Sequence, residues 1–328
     1  MKLKSGSVLA ILLSVFLGLS SLAQAEQITE NSYEDSFPQI KGNYLVWQGL
    51  IDGDWEIFLY NINEAEAGPM QITHNNYDDI SPQTDGHQVV WVGNSRSGGE
   101  IFLYDILAEE MIQITDDESV DSSAQIANGL VVWTSHKVTT SVEPGEILLY
   151  DIAHKKTSLL SASVDPDGTL DDSSPRINSE SVIWVQADET GNKTIFIHDL
   201  ATGITTEAPE GFVWEESRQT DGDLAVFSRK VGSNWEIFIR NTSLQNYEQI
   251  TDNDLEDTYP CLSGNAIAWV SGEGEASEIF LASYAAEPIA LLSPQGAGGG
   301  GCFIGTATHE SSILSWNLLL SYLTNYKR

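Results

Sequence analysis

Basic residues are scarce in this chain: 15 Lys and Arg stand against 48 Asp and Glu in 328 residues, a formal net charge of −33. A surface so poor in cations repels phosphate backbones and anionic lipid, which argues against nucleic-acid binding and charge-driven membrane binding. It favours cations and basic partner surfaces, or serves solubility alone. Cysteine is nearly absent too. Cys261 and Cys302 are the only two, too few for a disulfide framework. Long apolar runs are missing apart from residues 8–22, which fall short of the ~20 residues that cross a bilayer. The six histidines (His74, His87, His136, His154, His198 and His309) include no pair spaced like His-Glu-x-x-His. No Gly-x-Ser-x-Gly elbow occurs. These two absences count against zinc-peptidase and α/β-hydrolase chemistry.

What the chain has in quantity is one phrase, written six times. Its clearest copy reads Ser81-Pro82-Gln83-Thr84-Asp85-Gly86, then Val89-Val90-Trp91, then Glu100-Ile101-Phe102-Leu103-Tyr104, then Gln113-Ile114-Thr115. The tryptophan place is filled by Trp47, Trp91, Trp133, Trp184, Phe227 and Trp269. A period in the forties with strand-like words inside it indicates stacked or radial repeats. Each copy reads as four short strands, because apolar and β-branched runs are bounded by Gly, Asp, Asn and Ser. Tight turns at Asp85-Gly86, Asn128-Gly129, Asp221-Gly222 and Ser263-Gly264 join the first two strands, with Gly supplying positive φ. Four-stranded sheets repeated around an axis protect their own edges. The expectation is an all-β fold, a six-bladed β-propeller of four-stranded antiparallel blades over residues 26–294. Residues 135–145 and 163–172 read as polar loop insertions. Gln27-Ile28-Thr29 copies the fourth-strand word ahead of the first copy. It is expected to latch onto the last blade, beside or instead of a strand at residues 288–292.

Both ends carry other signals. Met1-Lys2-Leu3-Lys4, the apolar residues 8–22 and Ala23-Gln24-Ala25 have the order of a signal peptide, residues 1–25, cleaved after Ala25. Lys2 and Lys4 leave with it, so 13 bases remain against 48 acids, a net charge of −35. Residues 295–301 form a Gly-rich linker, and residues 302–328 a tail that ends in Lys327-Arg328.

One acid recurs in register, two residues before the Ser-Pro word: Asp35, Asp79, Asp121, Asp172, Glu216 and Asp257. A second acid often precedes it, at Glu34, Asp78, Asp171, Glu215 and Glu256. If the first strand of each blade is innermost, six carboxylates face the upper mouth of a central channel. There they would repel one another and take up positive charge. Calcium is the natural cofactor for such an oxygen cluster. An Asp at the start of a strand also hydrogen-bonds the backbone of its own turn, and both roles are open. Local acidic runs at Asp116-Asp117-Glu118, at residues 165–172 and at Asp252-Asn253-Asp254 lack the Glu that completes an EF-hand loop. Trp55 and Trp235 precede Glu-Ile-Phe words on the same upper face. They are candidate partner contacts, or they roof the blades. Cys261 is placed near the channel wall.

The words Ser-Pro-x-x-x-Gly, Val-Val-Trp, Glu-Ile-Phe-Leu-Tyr-Asp and Gln-Ile-Thr are similar to the repeats of TolB-type six-bladed propellers. The resemblance covers residues 27–293. It implies a periplasmic or cell-surface propeller that binds a protein or small cationic ligand, often with cations in its channel. The chain runs directly from leader to repeat, whereas TolB carries an α/β domain before its propeller. Residues 298–307 resemble the Gly-rich CFIATA tails of exported proteins of Gram-negative bacteria, which implies a sorting or anchoring signal processed or modified at Cys302. A flexible linker with an amphipathic end is the other reading of that tail. The resulting expectation is an exported, monomeric, non-enzymatic binding propeller. It would engage a cation or basic protein partner and touch membrane only through its tail. Two alternatives stay open: a structural cell-surface component, and a propeller lyase or hydrolase built on clustered His.

Overall fold

The computed structural model describes residues 25–95, 98–139, 142–209, 219–241 and 246–284. These residues form six four-stranded antiparallel sheets. The chain opens with a two-residue strand, β1 (Glu26–Gln27). The first sheet holds β2 (Asp35–Lys41), β3 (Tyr44–Ile51), β4 (Asp54–Asn61) and β5 (Met70–Gln71), hydrogen-bonded in that order. The second holds β6 (Asp79–Thr84), β7 (Gln88–Ser95), β8 (Gly98–Asp105) and β9 (Glu110–Gln113). The third holds β10 (Val120–Ala127), β11 (Leu130–Val138), β12 (Val142–Asp151) and β13 (Lys156–Leu159). The fourth holds β14 (Asp171–Ile177), β15 (Ser181–Ala187), β16 (Lys193–Asp199) and β17 (Ile204–Glu207). The fifth holds β18 (Gln219–Asp221), β19 (Leu224–Val231), β20 (Asn234–Asn241) and β21 (Asn246–Gln249). The sixth holds β22 (Asp257–Ser263), β23 (Ala266–Ser271) and β24 (Glu278–Ser283), and its fourth strand is β1 from the far end of the chain.

That closure follows the sequence word. Glu26 pairs with Leu281 and Gln27 with Phe280. The Ile28 N–H donates to the Ile279 carbonyl at 2.8 Å. Residues 288–292 lie outside the described residues.

The buried residues explain why the middle strands read as continuous apolar runs. Four of the repeated tryptophans stack on the Phe directly across the ladder: Trp47–Phe58 (5.6 Å between centroids), Trp91–Phe102 (5.8 Å), Trp184–Phe196 (5.8 Å) and Trp269–Phe280 (5.9 Å), while Trp133 faces Leu148. The β-branched neighbours fill the space between sheets. Among the described residues such apolar cores lie between the first and second, second and third, third and fourth, fifth and sixth, and sixth and first sheets. The sixth sheet thus returns onto the first. Sheet faces covered on both sides need apolar residues at successive positions rather than at alternate ones. Cys261 belongs to the sixth–first core and is buried. It is part of the packing there and does not line an open channel wall.

Two further sequence expectations change. Residues 135–145 are not a simple loop: β11 and β12 continue their ladder outward to the pair Val138–Val142, so the insertion lengthens a hairpin. The Ser-Pro word is not plain strand either. Five of the first strands break register there, between Ser36 and Gln39 in the first sheet and likewise in the second, third, fourth and sixth. At every one of these bulges the residue before the Pro or Ala is left-handed: Phe37 (φ 53°), Ser81 (56°), Ser123 (57°), Ser174 (55°) and Tyr259 (49°). The bulge turns these side chains out of the sheet. Phe37 from β2 and Tyr259 from β22 meet across the sheet junction, 4.6 Å apart, and stay about half exposed.

Candidate functional site: the acidic strand starts and the sixth–first cleft

The recurrent acids sit inside the sheets. Asp35, Asp79, Asp121, Asp172 and Asp257 are each at most 1% exposed. Glu216 lies outside the described residues. In four copies one carboxylate oxygen accepts the indole N–H of the tryptophan twelve residues on: Trp47 to Asp35 (2.9 Å), Trp91 to Asp79 (2.9 Å), Trp184 to Asp172 (2.8 Å) and Trp269 to Asp257 (3.2 Å). In three of them the other oxygen accepts an amide N–H from an Asn four residues back: Asn31 to Asp35 (2.7 Å), Asn75 to Asp79 (2.6 Å) and Asn253 to Asp257 (2.8 Å). The acid therefore ties the inter-sheet loop to the Trp of its own sheet. Glycine two residues after the Trp leaves room for it, since a Cβ on Gly93 would stand 2.9 Å from Asp79 Oδ1 and 2.6 Å from the Phe102 ring. Burial pushes the carboxyls of Asp35, Asp79 and Asp172 up to about 6, against the lowering by their hydrogen bonds. It raises Asp121 as well.

Of the two roles open to these acids, the geometry displays the local one, in which the carboxylate is held by groups of its own sheet and loop. The Trp–Asn clamp holds Asp35, Asp79 and Asp257 within their own sheets, Trp184 and Gln186 hold Asp172, and among the described residues no three His, Cys, Asp or Glu side chains are gathered to hold a metal ion. The histidines are dispersed too. His154 pairs with Asp151 (2.7 Å), His198 with Thr205 across β16 and β17 (2.9 Å), and His136 approaches Asp171 of the next sheet (3.6 Å). The clamping Asn was missed in the sequence, although the spacing Thr-x-Asn-x-x-x-Asp is visible at residues 29–35, 73–79 and 251–257.

The second acid of each pair has a different task. Asp78 accepts the Trp55 N–H (3.0 Å), Asp171 the Gly145 N–H (2.8 Å) and Glu256 the Trp235 N–H (2.9 Å), each clasping one sheet to the next. At the sixth–first junction Ser277 does this instead: its Oγ accepts the Asp35 N–H (3.2 Å) and donates to the Asp35 carbonyl (3.1 Å). Glu34 is thereby released from the clasp. It lines a cleft of about 300 Å³ with Glu256, Glu273, Trp235 and Tyr259. Trp235 is 42% exposed and Tyr259 50%, and among the described residues no Lys or Arg lines the cleft. Of the two candidate tryptophans, Trp235 therefore stands at the cleft, whereas Trp55 is half-buried in the first sheet. Ala25 is exposed, next to β1, and Cys302 lies outside the described residues.

No family model and no curated protein matches this chain. Among solved structures it is similar to an oligogalacturonate lyase in complex with manganese, at 12% identity and a TM-score of 0.48 over 81% of this chain and 96% of that one. It is also similar to TolB from Acinetobacter baumannii, at 14% identity and a TM-score of 0.41 over 70% of this chain and 60% of that one. A third similarity is to the β-propeller domain of the Trilobed protease from Pyrococcus furiosus, at 11% identity and 0.42 over 78% and 84%. Such distant likenesses concern architecture alone, and they include enzymes and non-enzymes. Among the described residues no helix is long and apolar enough to cross a membrane.

Proposed function

We propose that the six sheets are the blades of one exported six-bladed propeller. It works as a binding module that holds a cationic side chain of a partner protein in the sixth–first cleft. The observation that supports this most is the pairing of half-exposed Trp235 and Tyr259 with Glu34, Glu256 and Glu273, in a cleft that no described Lys or Arg lines. An ammonium or guanidinium over an aromatic face gains about 0.5–2 kcal/mol, more as water is excluded. Carboxylates beside the ring fix it by charge-assisted hydrogen bonds. The leader-like residues 1–25, with cleavage after Ala25, and the acidic surface fit a periplasmic or cell-surface location in a Gram-negative bacterium. The 48 acids disfavour nucleic acid as a partner.

Calorimetric titration of the mature chain with a Lys-rich peptide, and with a Glu-rich peptide of equal length, tests the reading. The Lys-rich peptide is expected to bind. Trp235→Ala combined with Glu34→Gln is expected to weaken that binding roughly tenfold, about 1.4 kcal/mol. Equal affinity in the double variant would show that the cleft is not where basic groups are held.

A further inference from the structure

The repeat provides its own control for one unusual cluster. At the sixth–first, first–second and fifth–sixth junctions a neutral Asn stands between two acids. The backbone N–H groups of Asn31, Asn75 and Asn253 donate to the glutamate of the preceding sheet: Glu278 (3.2 Å), Glu56 (3.0 Å) and Glu236 (3.3 Å). Their side-chain amides donate to Asp35, Asp79 and Asp257. At the third–fourth junction the corresponding glutamate, Glu146, is neutralised by Lys137 Nζ at 2.8 Å.

The second–third junction has neither solution. Asp117 occupies the Asn position, and its ionised carboxylate cannot give Asp121 the side-chain donor that Asn gives Asp35, Asp79 and Asp257. Both carboxylate oxygens of Glu100 and both of Asp121 are buried and meet no donor in good hydrogen-bonding geometry, although Thr115 and the Asp117 backbone stand near Glu100, and Ser135, Thr115 and Trp133 near Asp121. The Trp133 indole N–H, whose counterparts in four other copies donate to the acid, is buried and unpartnered as well. Asp117 accepts the Ser119 N–H at 2.6 Å, as each Asn accepts the N–H two residues on in the other copies, and it is exposed. Burial pushes Glu100 upward, joined by the charges of Asp121 and Asp117, against the lowering by the Thr115 hydroxyl and the Asp117 backbone N–H. Buried charge without a compensating partner costs several kcal/mol, so three acids in this place call for a cation.

We infer that Glu100, Asp117 and Asp121 bind a hard divalent cation, Ca²⁺ by preference, between the second and third sheets. All three donors are carboxylate oxygens, which suit Ca²⁺, Mg²⁺ or Mn²⁺ and not the thiolate- or imidazole-seeking metals. Ca²⁺ takes 6–8 oxygens in adaptable geometry, so water completes the shell through the exposed side at Asp117. Glu100 and Asp121 are fixed on β8 and β10. The three side chains are not already gathered into a cage. Binding draws the exposed Asp117 inward and is coupled to local ordering. The site is separate from the sixth–first cleft and does not depend on the function proposed for it.

The experiment measures thermal midpoints and calorimetric binding for the full mature chain in EDTA and in about 10 mM CaCl₂, above the ~10⁻⁴–10⁻³ M range of extracellular calcium modules. Ionic strength is matched with NaCl. The wild-type midpoint is expected to rise by several degrees with Ca²⁺, at one ion per chain. Asp117→Asn restores the arrangement of three other copies. It is expected to raise the EDTA midpoint above wild type and to abolish the calcium shift. Asp116→Asn, one residue away, is expected to keep the shift. No shift in the wild type, or a shift that survives Asp117→Asn, overturns the assignment.

Discussion

Asp172 illustrates what burial does to the repeated acid. One oxygen accepts from Trp184 (2.8 Å) and Gln186 (3.1 Å), yet desolvation outweighs both bonds and lifts the carboxyl to about 6, as it does for Asp35 and Asp79. In the unfolded chain these groups titrate near the ordinary Asp value of about 3.9. Between the two values the folded state binds more protons, so stability is fully present below about pH 4 and is lost as pH rises through about 6. Asp188, held down to about 2 by Thr190 and Asn192, works in the opposite sense and only at lower pH. The urea midpoint is therefore expected to be higher at pH 5 than at pH 7. Asp172→Asn keeps an acceptor for Trp184 and should flatten that difference. An unchanged pH dependence in the variant would mean that Asp172 ionises in the folded state as easily as in the unfolded one. The register of these acids was legible in the sequence because it repeats six times; their direction was not. Spacing places an Asp at the start of a strand but does not show whether it turns outward or back to an indole twelve residues on. The half-exposed Phe37 and Tyr259 were hidden for a related reason. Phe37-Pro38 and Tyr259-Pro260 read as strand, and only the bulge with its positive φ turns the rings out.

The strand β1 shows how a two-residue element can matter beyond its length. Its paired residues bury little. The word that follows them supplies the fixings: Thr29 Oγ1 donates to Glu278 (2.5 Å) and accepts the Ile279 N–H (2.9 Å). Elsewhere the same word makes the same bonds from within its own copy, as when Thr251 donates to Glu236 (2.6 Å) and accepts from Ile237 (2.9 Å). This is why the latch was readable: Gln27-Ile28-Thr29 matches Gln249-Ile250-Thr251 letter for letter. Thr29→Val keeps the shape and removes both bonds. It leaves Glu278 short of a donor, at a cost of about 1–3 kcal/mol. Hydrogen exchange is expected to quicken at Ile279 and Leu281 in β24 before it quickens at the equivalent Ile101 and Leu103 in β8. Uniform quickening, or none, would mean that the sixth sheet holds without its borrowed strand.

The sheets are assembled against a strong electrostatic opposition. With 15 bases among 48 acids, and Lys137–Glu146 the one Lys–carboxylate pair among the described residues, compaction brings acids together with little local compensation. Self-repulsion of this kind destabilises the compact state and is screened by salt. The screening length is about 30 Å at 0.01 M and about 8 Å at 0.15 M, so most of the relief comes early in a titration. The urea midpoint at pH 7 is expected to rise with NaCl, steeply up to roughly 0.15 M and slowly beyond. Surface ion pairs would give the opposite slope, because salt weakens attraction as readily as repulsion. A midpoint that falls with NaCl would therefore show that the acids are locally compensated. A general salt response and an ion bound at Glu100, Asp117 and Asp121 also separate cleanly. Asp117→Asn removes one charge of many and should leave the NaCl slope nearly intact, while the calcium-specific gain disappears.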